Sequence, residues 1–306
     1  MQRSCVSSQG DGRAVRPKGG KGFSLTELMV VLGIIAVMMG ILLPALGKAR
    51  RQARAVLGMS NQRQIVSGLN LYAIDNDSRY PESVATIGFG GSWHWQDPRM
   101  LTAYWKRDPG LNRSMSAYLR DYIEDAGVMF CPSAPVRYPH LQASWDAGEA
   151  WDNPDTDPNK DPVFGTYCFY WNYLGILENG RLFKGPSAGQ SRSKLLVSDY
   201  FGYGHWRSLN SYGSCEAFKG ASVTPGEPVN MFDSAYWSAR VDPNTFNPGA
   251  LKIKLHAGYV DGHVADYSPS QVVPMRISKE ADGSKPYPDG TAISPGIFYL
   301  PKNALR

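Results

Sequence analysis

Residues 21–50, KGFSLTELMVVLGIIAVMMGILLPALGKAR, decide how the rest of the chain is read. From Leu28 to Leu46 no side chain is charged, and these 19 residues rise about 28 Å as an α-helix, close to the hydrocarbon thickness of a bilayer. A helix in a soluble core keeps one polar face over such a length, and this one has none. A membrane-spanning helix over 24–46 is therefore predicted. A cleaved secretory signal fits less well. Pro44-Ala45-Leu46-Gly47 is a poor cleavage site, and the stretch after it, KARRQARAVLGMSNQRQ, goes on forming helix. Arg13, Arg16, Lys18 and Lys21 precede the apolar run and Lys48, Arg50, Arg51 and Arg54 follow it, so the flanking charges balance and do not orient it. Glu27, at the edge of the run, is the costly residue. A carboxylate near the membrane interior costs a few kcal/mol and calls for a partner. The plainer alternative is a snorkelling carboxylate at the positive end of the helix dipole.

Composition narrows the function classes. The net charge of the 306 residues is +5, but residues 1–22 hold Arg3, Arg13, Arg16, Lys18 and Lys21 against Asp11 alone, which leaves +1 for the remainder. A body so nearly neutral is not a nucleic-acid binder. No Gly-x-Ser-x-Gly elbow, phosphate-binding glycine loop or His-Glu-x-x-His is present, and no nucleophile is marked out near Asp199 and His205, so the expectation is a protein that is not an enzyme and needs no cofactor.

Beyond the apolar run, Leu46, Ala49, Ala53, Val56, Leu57, Ile65, Leu69 and Tyr72 recur at three- and four-residue steps. One helix from Ser24 to about Ile74 is predicted, amphipathic over 47–75 with its apolar side against a sheet of the same chain. Asp75-Asn76-Asp77-Ser78, with Pro81 following, ends it. Gly33, Ala36, Gly40 and Gly47 fall near one face and permit close helix approach. Strands are expected at Gly165–Tyr173, Lys194–Tyr200, Leu251–His256 and His263–Tyr267. The fold class is α+β: a long N-terminal helix packed on an antiparallel sheet with elaborated loops, the globular part occupying 76–306.

Gly22-Phe23-Ser24-Leu25-Thr26-Glu27, followed by an uninterrupted apolar helix, resembles the processing site of type IV prepilins and type II secretion pseudopilins. The resemblance implies a pilin-like fold, with 1–22 as a basic leader cut on the cytoplasmic side between Gly22 and Phe23 by the prepilin peptidase. It implies N-methylation of Phe23, a role for Glu27 in processing and assembly, and a helix kink at Pro44. The leader then lies in the cytoplasm, the 23–75 helix is anchored in the inner membrane, and the body is extracytoplasmic. The implied partners are the peptidase, other pilin or pseudopilin subunits and an inner-membrane assembly platform. Release of the Phe23 ammonium would supply Glu27 with the positive partner it lacks, met across neighbouring subunits. A membrane-tethered binding protein, for example for polysaccharide, that never polymerises is the alternative of a different class.

Other stretches carry weaker signals. Asn61-Gln62-Arg63-Gln64-Ile65 and Cys131-Pro132-Ser133 resemble places in the same prepilin-like group, some of whose members carry a His followed by Asp-Gly-His-Val. Here four residues separate His256 from Asp261, fewer than is usual there. His256, Asp261 and His263 are chemically adequate metal ligands, but Asp261-Gly262 also suits a tight two-residue hairpin turn. Asp152, Asp155, Asp157 and Asp161 crowd a Pro-rich loop that offers oxygen ligands to Ca²⁺, though without the spacing of an EF-hand; a solvated acidic loop is the alternative. The aromatics at Trp93–Trp95, Tyr104-Trp105, Tyr167–Tyr173 and Tyr200–Trp206 are either core or a binding platform. Cys5 leaves with the leader, and Cys131, Cys168 and Cys215 allow one internal disulfide of unspecified pairing.

Overall fold

The computed structural model describes residues 22–85, 97–103, 113–134, 138–154, 163–177, 179–187, 193–203, 210–213, 224–231, 234–240, 247–276 and 297–305. The chain divides into two compact units, Met1–Ala49 and Arg50–Arg306. A single α-helix, Leu25–Asp75, supplies the described part of the first unit and the opening of the second, and it continues through Pro44. It is long and apolar enough to cross a membrane. In the first unit every large apolar side chain from Phe23 to Leu46 is exposed. Such a surface needs a cover of lipid or of other helices.

The second unit is antiparallel β around one core. A four-stranded sheet runs in the order Val264–Tyr267, Leu255–Tyr259, Leu195–Asp199, Tyr167–Phe169. Its neighbour pairs are all antiparallel. An eight-stranded sheet includes Phe201–Tyr203, Ile297–Pro301, Val272–Arg276 and Leu174–Leu177 side by side, with Leu182–Lys184 at one edge. A small sheet pairs Met100–Ala103 with Arg113–Ser114 and Val163–Phe164. The chain passes from the four-stranded to the eight-stranded sheet at Tyr170–Tyr173 and again at Tyr200, and these aromatics are buried. Of the aromatic clusters, the described rings of Tyr167–Tyr173 together with Tyr200 and Phe201 are therefore core; residues 93–95, 104–105 and 204–206 lie outside the described residues. Beside Tyr200, Arg99 is buried in a bidentate pair with Asp97 at 2.7 and 3.0 Å, its guanidinium 4.3 Å from the Tyr200 ring centre and 5.2 Å from that of Phe164.

The helix meets the four-stranded sheet through Gly58, Gln62 and Val66, which with Ile65 and Leu69 form one buried stripe spaced three and four residues apart. At Gly258 the approach is close: a Cβ there would stand 2.9 Å from both Val66 of the helix and Val197 of the adjacent strand. The predicted amphipathic stripe is corrected in part. Ile65 and Leu69 face the body, but Val56 and Leu57 are more than half exposed, as is Leu71 outside the predicted stripe. The sheet has room for one narrow stripe, and the helix carries more apolar residues than that stripe holds.

The predicted strands at 194–200 and 263–267 are observed as Leu195–Asp199 and Val264–Tyr267. The one expected at 251–256 starts later, at Leu255, because its partner stops at Tyr267. There Ser268 and Pro269 open a 3-10 turn with a capping box, and the proline has no N–H for the ladder. The hairpin joining the two strands has a three-residue loop, Val260-Asp261-Gly262, closed by Tyr259 N–H donating to the His263 carbonyl at 3.0 Å. Only Gly262 takes a positive φ, +89°, so the expected two-residue turn is replaced by a longer loop ending on a left-handed glycine.

Candidate functional site

The head of the helix is built by a reciprocal cap. Ser24 precedes the first helical residue and its carbonyl accepts from Leu28 N–H at 3.2 Å. Its Oγ accepts from Glu27 N–H at 3.2 Å, while its own N–H and hydroxyl donate to Glu27 Oε2 at 2.9 and 2.8 Å. This is the Ser-x-x-Glu capping box, which satisfies two of the otherwise orphaned N–H groups at a helix start. Ser24 was not singled out from the sequence, although the Ser-x-x-Glu spacing before an apolar run is its signature. The Glu27 carboxylate is already hydrogen-bonded within its own chain, through Oε2 alone; these bonds leave Oε1 for a further donor. Phe23, one residue ahead of the cap, is 85% exposed, and nothing lies within 4 Å of where a Gly22 Cβ would be. The Gly22–Phe23 bond thus lies in exposed backbone ahead of the helix.

A second constellation joins the helix to the sheet inside the body. Asp199, buried at the end of its strand, accepts from Gln62 Nε2 at 2.7 Å through Oδ1 and from His256 N–H at 2.8 Å through Oδ2. His256 Nδ1 lies 2.8 Å from the same Oδ2, and its Nε2 is 3.5 Å from Asp266 Oδ1. Gln62 Nε2 also reaches the His256 carbonyl at 3.3 Å. Three distant stretches of sequence are thereby tied at one buried point.

This geometry corrects the suggested metal triad. His256 is turned inward to Asp199, whereas His263 bonds Asp261 at the exposed hairpin tip and stacks on Tyr259 with ring centres 4.4 Å apart. On the ladder His256 faces Asp266, three residues and about 10 Å along the strand from the His263 level. His256, Asp261 and His263 do not converge, and among the described residues no group of three or more His, Cys, Asp or Glu is placed to hold a metal ion. Of the acidic loop, Asp152 is exposed beside the buried Trp151, and Asp155, Asp157 and Asp161 lie outside the described residues. Cys131 is disulfide-bonded, and Cys168 is a buried free thiol whose pKa burial pushes up. Cys5 and Cys215 lie outside the described residues.

The capped, exposed helix head coincides with a match to known proteins. A family model for the prokaryotic N-terminal methylation motif fits residues 18–43. The N-terminal segment is prepilin-like. It is also 34% identical over 73 residues to the type IV wide pilus major component PilA4 of Thermus thermophilus, a match that covers 24% of this chain and 56% of that pilin. The chain thus spans little more than half the length of the curated relative it matches. No solved structure matches it. The chain has the α+β, pilin-like architecture expected from its sequence: a long N-terminal helix followed by antiparallel sheets.

Proposed function

We propose that this protein is a structural subunit, cleaved between Gly22 and Phe23 by a prepilin peptidase, methylated on the new Phe23 amine, and assembled through its N-terminal helix into a type IV pilus or a type II secretion pseudopilus. Support comes chiefly from one observation: the Glu27 carboxylate is fixed at the head of an uncharged helix with Oε2 committed to Ser24 and Oε1 left over, four residues from the amine that cleavage would free. Hydrolysis of the Gly22–Phe23 peptide leaves a carboxylate on Gly22 and an ammonium on Phe23. In the low dielectric of the bilayer and of a helix bundle that ammonium is the natural partner for Glu27 of a neighbouring subunit. The cap sets which way the carboxylate points before the neighbour arrives, so ordering costs are reduced at assembly.

The exposed apolar half of the helix spans the inner membrane with the leader in the cytoplasm, and in the fibre exchanges lipid for other helices. Pro44 leaves the Gly40 carbonyl without its helical donor and gives the helix a point of adjustment between the two settings. The Thermus protein is a pilus major component, which fits this reading.

Polymer formation is the test. Membranes of cells that express the full chain with a prepilin peptidase and an assembly platform, cross-linked in situ, are expected to yield a ladder at integral multiples of the subunit mass. A chain that is processed yet stays single, and whose body binds a polysaccharide tightly, would instead be a tethered binding protein.

A further inference from the structure

The part of the helix that belongs to the body has more than one working face. Its buried stripe serves the sheet, while Val56, Leu57 and Leu71 point elsewhere with exposures of 64, 55 and 51%. Beside Leu71 runs a groove of about 580 Å³ between this helix and the 121–128 segment. Its helix side carries Arg63 and Leu71, and its opposite bank carries Asp121, Glu124 and Asp125 over a floor that includes Ile123. All three carboxylates are exposed, so one cation stands against three anions in an open groove with an apolar floor.

The same chain carries a segment of matching chemistry. Lys48-Ala49-Arg50-Arg51-Gln52-Ala53-Arg54 holds four cations and no acid, all four are exposed, and none forms an ion pair among the described residues. A chain cannot serve its own groove with this collar. The helix side of the groove, Ser60 to Leu71, is centred about 14 to 15 residues further on, roughly 22 Å along the axis, about two Debye lengths at 0.1 M salt. A second copy shifted by that distance brings its collar level with the groove.

We propose that the groove receives the basic collar, Lys48 to Arg54, of a second copy of this chain, with Arg51 and Arg54 set against Glu124 and Asp125. This rests on the fibre reading above and adds a second contact to it. Pairing Glu27 with a Phe23 amine requires a shift of only four residues, about 6 Å, so the two contacts are made with different neighbours. A helical stack satisfies both, and a simple dimer satisfies one.

The test co-expresses two full-length forms in the assembling cells, one carrying Arg54→Cys and the other Glu124→Cys. On oxidation a mixed disulfide dimer is expected at about tenfold or more over the pair Arg54→Cys with Arg181→Cys, whose second site lies just before the edge strand Leu182–Lys184. In a parallel arm, Asp121→Lys with Glu124→Lys and Asp125→Lys lowers the cross-linked ladder by about tenfold, the scale set by a few exposed ion pairs turned repulsive. Combination with Arg50→Glu, Arg51→Glu and Arg54→Glu restores it. If the ladder forms but the mixed dimer stays at the control level and the reversals leave the ladder unchanged, the groove contact is wrong and the fibre reading stands; loss of binding to phosphatidylglycerol vesicles on reversing the collar alone would then assign the collar to lipid headgroups. If the unaltered chain gives no ladder, both fall.

Discussion

Glu27→Gln is expected to reduce the cross-linked ladder by at least about a hundredfold while leaving cleavage after Gly22 intact. The substitution isolates charge. A glutamine oxygen can still accept from Ser24 N–H, so the helix start keeps its cap; what disappears is the negative charge that would meet a neighbour's ammonium. Removing one partner of a pair held away from water leaves the other charge uncompensated, at a cost of roughly 3–5 kcal/mol, and a hundredfold change is about 2.7 kcal/mol. Glu27→Ala removes the carboxylate half of the capping box as well, while Ser24 Oγ still accepts from the N–H of residue 27, and should do no better. Cleavage is unaffected because the scissile bond lies outside the helix, in exposed backbone. A full ladder from Glu27→Gln would show that the pairing is not what sets the subunits' register.

Asp199→Ala is expected to lower the melting temperature of the body by about 10 °C. The carboxylate is fully inside and accepts from a helix side chain, a strand N–H and a buried ring at once. Its loss leaves the Gln62 amide and the His256 N–H without that acceptor in a place water does not reach, for about 3–5 kcal/mol. At a few degrees per kcal/mol for a body of this size, the shift follows. Thermal unfolding of the full chain in detergent, followed through the buried Trp145, Trp151 and Trp171, gives the value. Asp199→Asn keeps one acceptor but sets an amide N–H against the His256 N–H or the Gln62 amide, so an intermediate loss is expected. A change within 2 °C for Asp199→Ala would remove this residue from its place as the tie between helix and sheet.

The helix was legible because its signals are local. An apolar run, a polar stop at Asp75–Ser78 and periodic spacing between them place Leu25–Asp75 within a residue of the sequence expectation. The Ser24–Glu27 cap is just as local: its signature is the hydroxyl three residues before the carboxylate, not the charge of Glu27 alone. The Gln62–Asp199–His256 junction is a different case. Its members stand 137 and 57 residues apart, and nothing in a single sequence announces such pairings. The one available hint was Gln62 itself, a polar residue on the stripe otherwise formed by Gly58, Ile65, Val66 and Leu69. The same distance problem misplaced His256, which sequence proximity grouped with Asp261 and His263 and the strand register gave to Asp199. The late start of the Leu255–Tyr259 strand has a similar origin. Leu251-Lys252-Ile253-Lys254 alternates in burial as a strand does, but the partner has already turned away at Ser268.

The most direct measurement is the mass of the N-terminal peptide of the protein recovered from membranes of cells that contain a prepilin peptidase. The expected peptide begins at Phe23 and carries one added methyl group on its amine. A mature protein in which the Gly22–Phe23 bond is intact, or one that begins after Leu46, would contradict prepilin-type processing.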